Sequence, residues 1–187
     1  MLDKTPPIIA ICGMPRHGKS TVQEFLHQDL GVVPMDDGLP IRREGMSRFG
    51  LTWEQVSTQE GKLETCLAFG REMEVREALG LIGKEWEERD MQYVPSLALE
   101  ILRQEGTGAP VSYGSVRRNQ AQTYMSAAGL VIEVYDPRKP VSSYDFDYFD
   151  PRHVHMTIVN DGTLDDLRRR STVVVRGYLE NHRGVSW

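Results

Sequence analysis

Short apolar runs alternate with amphipathic helical stretches along this chain, which predicts an α/β protein with a parallel, helix-covered sheet joined by right-handed crossovers. Two further observations narrow the class. Gly13 is followed at the right distance by Gly18-Lys19-Ser20, the G-x-x-x-x-G-K-[ST] spacing that cradles phosphates. Ile8 to Cys12 before it reads as a buried strand, and Val22, Phe25, Leu26 and Leu30 after it recur at the three- and four-residue steps of a helix face. Strand, glycine loop and helix in that order predict a P-loop NTPase three-layer sandwich with a parallel five-stranded sheet and a small helical and hairpin insertion.

The 187 residues, 40% hydrophobic and 26% charged, suffice to enclose one core, so residues 1–187 are expected to form a single domain. No apolar run approaches a membrane span, and MLDKTPP leads almost directly into the first strand without room for a signal peptide. A cytoplasmic protein without membrane contact is the expectation. Cys12 and Cys66 make neither metal spacing nor a disulfide framework and read as reduced core thiols. The net charge of −5 arises within residues 54–90, where ten acids face five bases, while the remainder carries seventeen of each. That balance argues against coating nucleic acid by charge alone and leaves a local basic groove open.

The chemistry of the loop follows from its residues. Gly13 and Gly18 allow a tight turn and expose backbone amides, and the helix start adds unpaired N–H groups and a positive dipole end. Lys19 then reaches the β- and γ-phosphates of ATP, Ser20 places its hydroxyl on Mg²⁺, and Thr21 joins the nucleotide-binding residues. Arg16 and His17, in the variable part of the loop, are expected as solvent-facing or phosphate-adjacent side chains.

The second strand, Val32 to Met35, ends in Asp36-Asp37-Gly38 and so delivers carboxylates to the carboxyl edge of the sheet, where ligands gather. One of them, Asp36 as the metal candidate or Asp37 as the catalytic one, is placed to organise Mg²⁺ or take a proton from an attacking hydroxyl. Asp and Gly are equally turn residues on their own merits. Arg42, Arg43 and Arg48 lie in a helical segment. Thr52 and Gln55 form a capping box opening the next helix. Leu63 to Val75 alternates in period two around Gly70-Arg71, which predicts an inserted hairpin, followed by a short helix with a solvated acidic face over Glu85 to Asp90.

Val94, Leu97, Ala98, Ile101 and Leu102 define an amphipathic helix, ended by Gly106-Thr107-Gly108 before a third sheet strand around Ala109 to Tyr113. That strand lacks an acid at its end, with Ser112 the nearest substitute. A helix over Ala121, Tyr124, Met125 and Ala128 stops at Gly129, and Leu130 to Tyr135 forms the fourth strand. Residues 136–152, with alternating aromatics and aspartates, read as a lid or as a cover over a core edge. His153 and His155 are expected on one face of the fifth strand without a third ligand to make a metal site. Thr163 and Asp166 then cap a last helix packed through Leu164, Leu167, Ser171, Val174, Val175 and Tyr178, with Arg168, Arg169 and Arg170 on its solvated face.

The P-loop, the Asp36-Asp37-Gly38-Leu39-Pro40-Ile41-Arg42 stretch, Val116 to Gln122 before Gly129 to Val134, and Ile158 to Leu164 together resemble the bacteriophage deoxynucleoside monophosphate kinases of the P-loop nucleoside monophosphate kinase group. The resemblance implies transfer of the ATP γ-phosphoryl group to an acceptor nucleotide, with an acceptor-binding insertion near residues 52–92 and a mobile lid near 136–152. It implies that Gly13, Gly18, Lys19 and Ser20 hold ATP and Mg²⁺, that Asp37 and Arg42 face the acceptor, that Arg117 clamps phosphates, and that Asn160 to Gly162 border the donor base. The chain is similar in the same way to the phage kinases that phosphorylate 5-hydroxymethyluracil within DNA. For that acceptor Tyr144, Phe146, Tyr148 and Phe149 would supply stacking surfaces, and Arg117, Arg118, Arg138 and Lys139 a short basic track. Thr58-Gln59-Glu60-Gly61-Lys62 looks particular to a subgroup. A nucleotide-binding switch without transfer activity is the reading from another class, and a homodimer fits any of the three.

Overall fold

A computed structural model describes residues 6–105, 108–144 and 147–184. Strand β1 (Ile8–Cys12) is wholly buried because both of its faces are covered. Ile8, Ala10 and Cys12 enter one core cluster, while Ile9 and Ile11 enter the other. On the first face α5 (Tyr93–Glu105) and α6 (Gln120–Ser126) supply Ala98, Leu99, Leu102, Ala121 and Tyr124. On the second, α1 (Lys19–Leu30) and α7 (Leu164–Gly184) supply Val22, Leu26, Leu167, Val175 and Leu179. Two helix layers on a sheet give the three-layer sandwich.

The five-stranded sheet has the order β2-β5-β1-β6-β7, with β2 Val33–Met35, β5 Val111–Val116, β6 Leu130–Tyr135 and β7 Met156–Val159. Every pairing in it is parallel. The carboxyl ends of β1, β2 and β5 therefore point to one edge. β5 bulges there: Ala10 pairs Tyr113, but Cys12 pairs Val116, so one extra residue re-aims the chain around Gly114 and Ser115. The strand runs later than the expected Ala109 to Tyr113, because Pro110 cannot donate to the ladder while its carbonyl accepts from Val33.

Residues between β2 and α5 build a side layer. It holds α2 (Leu39–Phe49), α3 (Trp53–Ser57), the antiparallel hairpin β3 (Thr65–Ala68) and β4 (Arg71–Glu74), and α4 (Val75–Arg89). Thr52 and Gln55 form the full reciprocal capping box at the start of α3. Small clusters around Leu51, Val56 and Val75, and around Ala68, Met73 and Ala78, give this layer its own packing.

Three sequence expectations change here. The short acidic helix is a 15-residue helix whose Glu87 faces inward at 9% exposure, while Glu85 pairs with Arg48 and Arg89. His153 and His155 precede β7 rather than lying on it, and the His155 ring binds the Val131 amide at 3.0 Å. Among the described residues no group of His, Cys, Asp and Glu is arranged for a metal. Leu164 stands exposed at the start of α7, where the first turn extends past β7, whereas Ser171 is buried and donates to the Leu167 carbonyl at 2.8 Å. Arg168, Arg169 and Arg170 lie on the outer face as expected, paired with Asp29, Asp166 and Asp161. No helix among the described residues is long and apolar enough to cross a membrane.

Candidate functional site

A cavity of about 480 Å³ opens at the carboxyl edge of the sheet. One wall is the loop after β1. Gly13 has φ 134°, and a Cβ there would collide with the Val134 carbonyl on β6. Gly18 caps α1 at φ 106°, where a Cβ would sit 2.9 Å from Asn160 Nδ2. Both positions demand glycine for conformation and for space together. Arg16 also takes a left-handed φ of 66° and is exposed at the cavity rim. Lys19 folds back over the loop, its ammonium donating to the carbonyls of Gly13 at 2.8 Å and Met14 at 2.9 Å. Burial and the nearby Arg117 lower its pKa to about 7. Ser20 and Thr21, in the first turn of α1, line the same cavity.

His17 differs from expectation. Its ring is buried, accepts from the Asp136 amide at 3.1 Å and packs against Tyr135, with centroids 5.7 Å apart. The imidazole thus points into the sheet end as an internal brace instead of facing solvent or phosphate. Burial and Lys19 lower its pKa. Asn160 completes the brace by donating to the His17 carbonyl at 3.0 Å. Gly162 lies beyond it against Asp166, whose side chain a Cβ would meet at 2.7 Å. Neither Asn160 nor Gly162 lines the cavity.

The exit of β2 separates the two adjacent aspartates. The Asp36 carboxylate pairs with Arg42 and accepts from the Gly38 amide at 3.0 Å, so the residue expected at the metal is engaged in a local turn. Asp37 is 2% exposed, lines the cavity, and neither of its carboxylate oxygens has a hydrogen-bond partner among the described residues. Burial, then Asp36, raises its pKa to about 7. Behind it the buried Tyr124 phenol is pushed far up by burial and by Asp37, and no hydrogen bond of ordinary geometry joins the pair.

The cavity is also lined by cations. Arg42, Lys62, Arg76 and Arg117 all line it. Arg117, after β5, has its pKa lowered to about 10 by burial and by Arg76. It is held from behind by the buried Asp147, whose other oxygen accepts from Ser142 at 2.6 Å and lies 4.0 Å from Arg76. Arg118, expected on an open basic track, is only 6% exposed; Glu87 takes its guanidinium bidentately and also accepts from Gln120 at 2.6 Å. Gly83 leaves room for that guanidinium, since a Cβ there would lie 2.7 Å away.

The segment expected as a lid is tied to this wall. Arg118, at φ 49°, donates its amide to Tyr148 at 2.5 Å and accepts from Asp150 at 3.2 Å. Tyr144 binds Glu74 with Arg76 over its ring, and Phe149 packs against the core, which leaves Tyr148 as the exposed aromatic among the described residues of the set. Phe146 lies outside the described residues. Arg138 binds Asp136 and the Asn160 carbonyl while its side chain stays exposed.

β5 carries no acid, and the structure shows what stands beside it. Gln23 donates to the Ser112 carbonyl at 3.1 Å and hydroxyl at 3.3 Å, and Gly114 is a glycine because Gln23 occupies the position of its missing side chain. Sequence reasoning missed Gln23, Lys62, Arg76, Glu87 and Asp147. Glycine at 114 and the Thr58 to Lys62 stretch were the available signals for two of them; the rest depend on long-range packing.

No family model and no curated protein matches the chain in sequence. Solved structures do match in fold. The protein TT1252 from Thermus thermophilus is 20% identical with TM-score 0.55, covering 93% of this chain and 98% of its own. Dephospho-CoA kinase from Campylobacter jejuni is 16% identical with TM-score 0.50, over 93% of this chain and 98% of its own. The Mycobacterium tuberculosis APS kinase in complex with AMPPNP and APS is 10% identical with TM-score 0.50, over 92% and 98%. The fold is that of the P-loop kinases: an α/β architecture with a five-stranded parallel sheet flanked by helices.

Proposed function

We propose that this chain is an ATP-dependent P-loop phosphotransferase that moves the γ-phosphoryl group of ATP to a deoxynucleotide, a free deoxynucleoside monophosphate being the acceptor the cavity suits best. One observation carries the reading: the glycine loop and the wall of Arg42, Lys62, Arg76 and Arg117 face one shared cavity. Four cations in the same cavity as a phosphate loop fit two anionic ligands meeting there. The P-loop kinase fold supports the same reaction class.

The residues fit ATP and Mg²⁺. The loop backbone is glycine-shaped at Gly13 and Gly18, and Lys19 has no carboxylate within hydrogen-bond reach among the described residues, so a phosphate would replace its two carbonyl contacts. Ser20 would hold Mg²⁺, with Asp37 the free carboxylate nearest in function now that Asp36 is engaged. Bound Mg²⁺ supplies neutralisation of charge on the β- and γ-phosphates. Lys19 and Arg117 are preorganised against the charge that develops on the transferred group. Arg42 and Asp37 orient the acceptor.

Asp37 favours a second reading, transfer to a hydroxyl such as that of 5-hydroxymethyluracil in DNA. A monophosphate oxygen is already anionic, whereas a hydroxyl has a proton for an unpartnered carboxylate. In that step the O–H bond breaks with its proton passing to Asp37, the acceptor oxygen bonds to the γ-phosphorus, and the bridging electron pair leaves on ADP. Salt separates the two acceptors. Apparent affinity for DNA, which engages several phosphates, should fall steeply between about 50 and 200 mM salt, and affinity for a monophosphate only weakly. A panel of free deoxynucleotides and hydroxymethyluracil-containing DNA, each assayed across that range with labelled ATP, tests the choice; label appearing only in DNA, with steep salt dependence, overturns the monophosphate.

A further inference from the structure

Four residues that do not line the cavity close a ring of hydrogen bonds behind the glycine loop. The Asp136 amide donates to His17 Nδ1 at 3.1 Å, and the Asp136 carboxylate accepts from the Arg138 guanidinium at 2.8 and 3.1 Å. Arg138 also donates to the Asn160 carbonyl at 2.8 Å, and the Asn160 side-chain amide returns to the His17 carbonyl at 3.0 Å. The ring joins the segments that follow β1, β6 and β7, three neighbouring strands of the sheet.

The loop needs such an anchor. Gly13 and Gly18 take the left-handed conformations it requires, but glycine leaves other conformations equally open. Of residues 14 to 17, His17 alone is buried, and its ring packs against Tyr135. Asn160 Nδ2 lies 2.9 Å from where a Gly18 Cβ would stand, so the ring also abuts the cap of α1.

One member of the ring can change its hydrogen-bonding sense. To accept from the Asp136 amide, Nδ1 must be unprotonated, which puts the proton of the neutral imidazole on Nε2. Nε2 is buried beside the Pro140 carbonyl without a hydrogen bond of ordinary geometry. A second proton would set Nδ1–H against the Asp136 N–H. Burial and the Lys19 ammonium of α1 oppose that proton; the Pro140 carbonyl, Asp136 and Glu133 of β6 favour it, and the balance keeps the ring neutral. The β7 side contributes the uncharged Asn160 amide.

We infer that His17 is a positioning residue for the donor loop: its neutral imidazole, through Asp136, Arg138 and Asn160, holds Gly13 to Lys19 in the shape that receives phosphates. It touches no substrate. A loop held in advance binds without the loss of ordering its backbone on arrival. The anchor is intact above the ordinary histidine value of about 6.5 and weakens as the pH falls below it, because the folded loop takes the proton less readily than the free side chain. The inference rests on the nucleotide reading of the glycine loop, and its test reads binding rather than transfer.

ADP binding is measured by calorimetry at about pH 8 and about pH 5.5 on the wild type, His17→Asn, His17→Ala and Asn160→Ala, with thermal melting of each. Asparagine offers an acceptor oxygen in place of Nδ1 and takes up no proton. At the higher pH His17→Asn should bind ADP within about threefold of wild type and His17→Ala about tenfold more weakly, the range for one hydrogen bond. At the lower pH wild-type affinity should fall several-fold further than that of His17→Asn; Lys19 and Asp37 titrate in both proteins and cancel in the comparison. Asn160→Ala should resemble His17→Ala, and the double variant should lose less than the two losses combined. Equal pH dependence in wild type and His17→Asn, additive losses in the double variant, or a lowered melting temperature with unchanged ADP affinity in His17→Ala overturns the inference. A wild type that binds no ADP at either pH removes the nucleotide reading and this inference with it, a result distinct from ADP binding that ignores His17.

Discussion

Replacing Asp37 by Asn should stabilise the protein while impairing turnover, and the gain should depend on pH. The wild-type carboxyl is raised from 3.8 to about 7 because it is buried without a partner. Below about pH 4 it is neutral in both folded and unfolded chains and carries no penalty. Between about 4 and 7 the unfolded chain releases the proton and the folded one keeps it, so wild-type stability falls; above about 7 the loss is complete. At about 1.4 kcal/mol per unit the penalty is about 2 kcal/mol at pH 5 and about 4 kcal/mol at pH 8. Asn cannot ionise, and the other titrating groups cancel in the difference between the two proteins. Urea unfolding at both pH values should therefore show the variant's advantage growing by about 2 kcal/mol. A difference independent of pH, or a variant less stable at pH 8, would show that the carboxylate has a partner and is not held free for a ligand.

Other positions give sharper structural tests. Gly13→Ala should cost about 3 kcal/mol or more and abolish ATP binding, because φ 134° and the Val134 carbonyl both exclude a side chain; chemical unfolding and nucleotide titration check it. Glu87→Ala, which leaves the Arg118 guanidinium and the Gln120 amide buried without their acceptor, should cost about 3–5 kcal/mol, read from the shift in urea midpoint. Cys12, whose thiol burial pushes up to about 12, should resist iodoacetamide in the native protein at pH 8 while the half-buried Cys66 is modified first, as peptide mass analysis would show.

Local signals in the sequence were strong where one segment determines its own conformation. The glycine loop, the Thr52 capping box, the Gly70 hairpin and the five sheet strands rest on spacing, caps and turn residues, and the structure has each of them. Asp37 was legible as a strand-end acid, but not which of two adjacent aspartates stays free, since that depends on Arg42 reaching back six residues to Asp36. The same limit hid the inward turn of Glu87 and the burial of His17 and Arg118: their partners lie 31, 119 and 31 residues away. A charge run such as Glu85 to Asp90 reads as solvated until an arginine from another strand end is known to meet it.

The most direct measurement is transfer itself. The protein is incubated with γ-labelled ATP, Mg²⁺ and a panel of deoxynucleoside monophosphates, and the same reaction is run with Lys19→Ala. The wild type should label at least one acceptor, and the variant should be slower by about a hundredfold or more while keeping its fold, because one preorganised contact to the transferred group is gone. Tight ATP binding without transfer to any free nucleotide or DNA acceptor, or near-wild-type turnover in Lys19→Ala, would contradict a phosphotransferase that works through this loop.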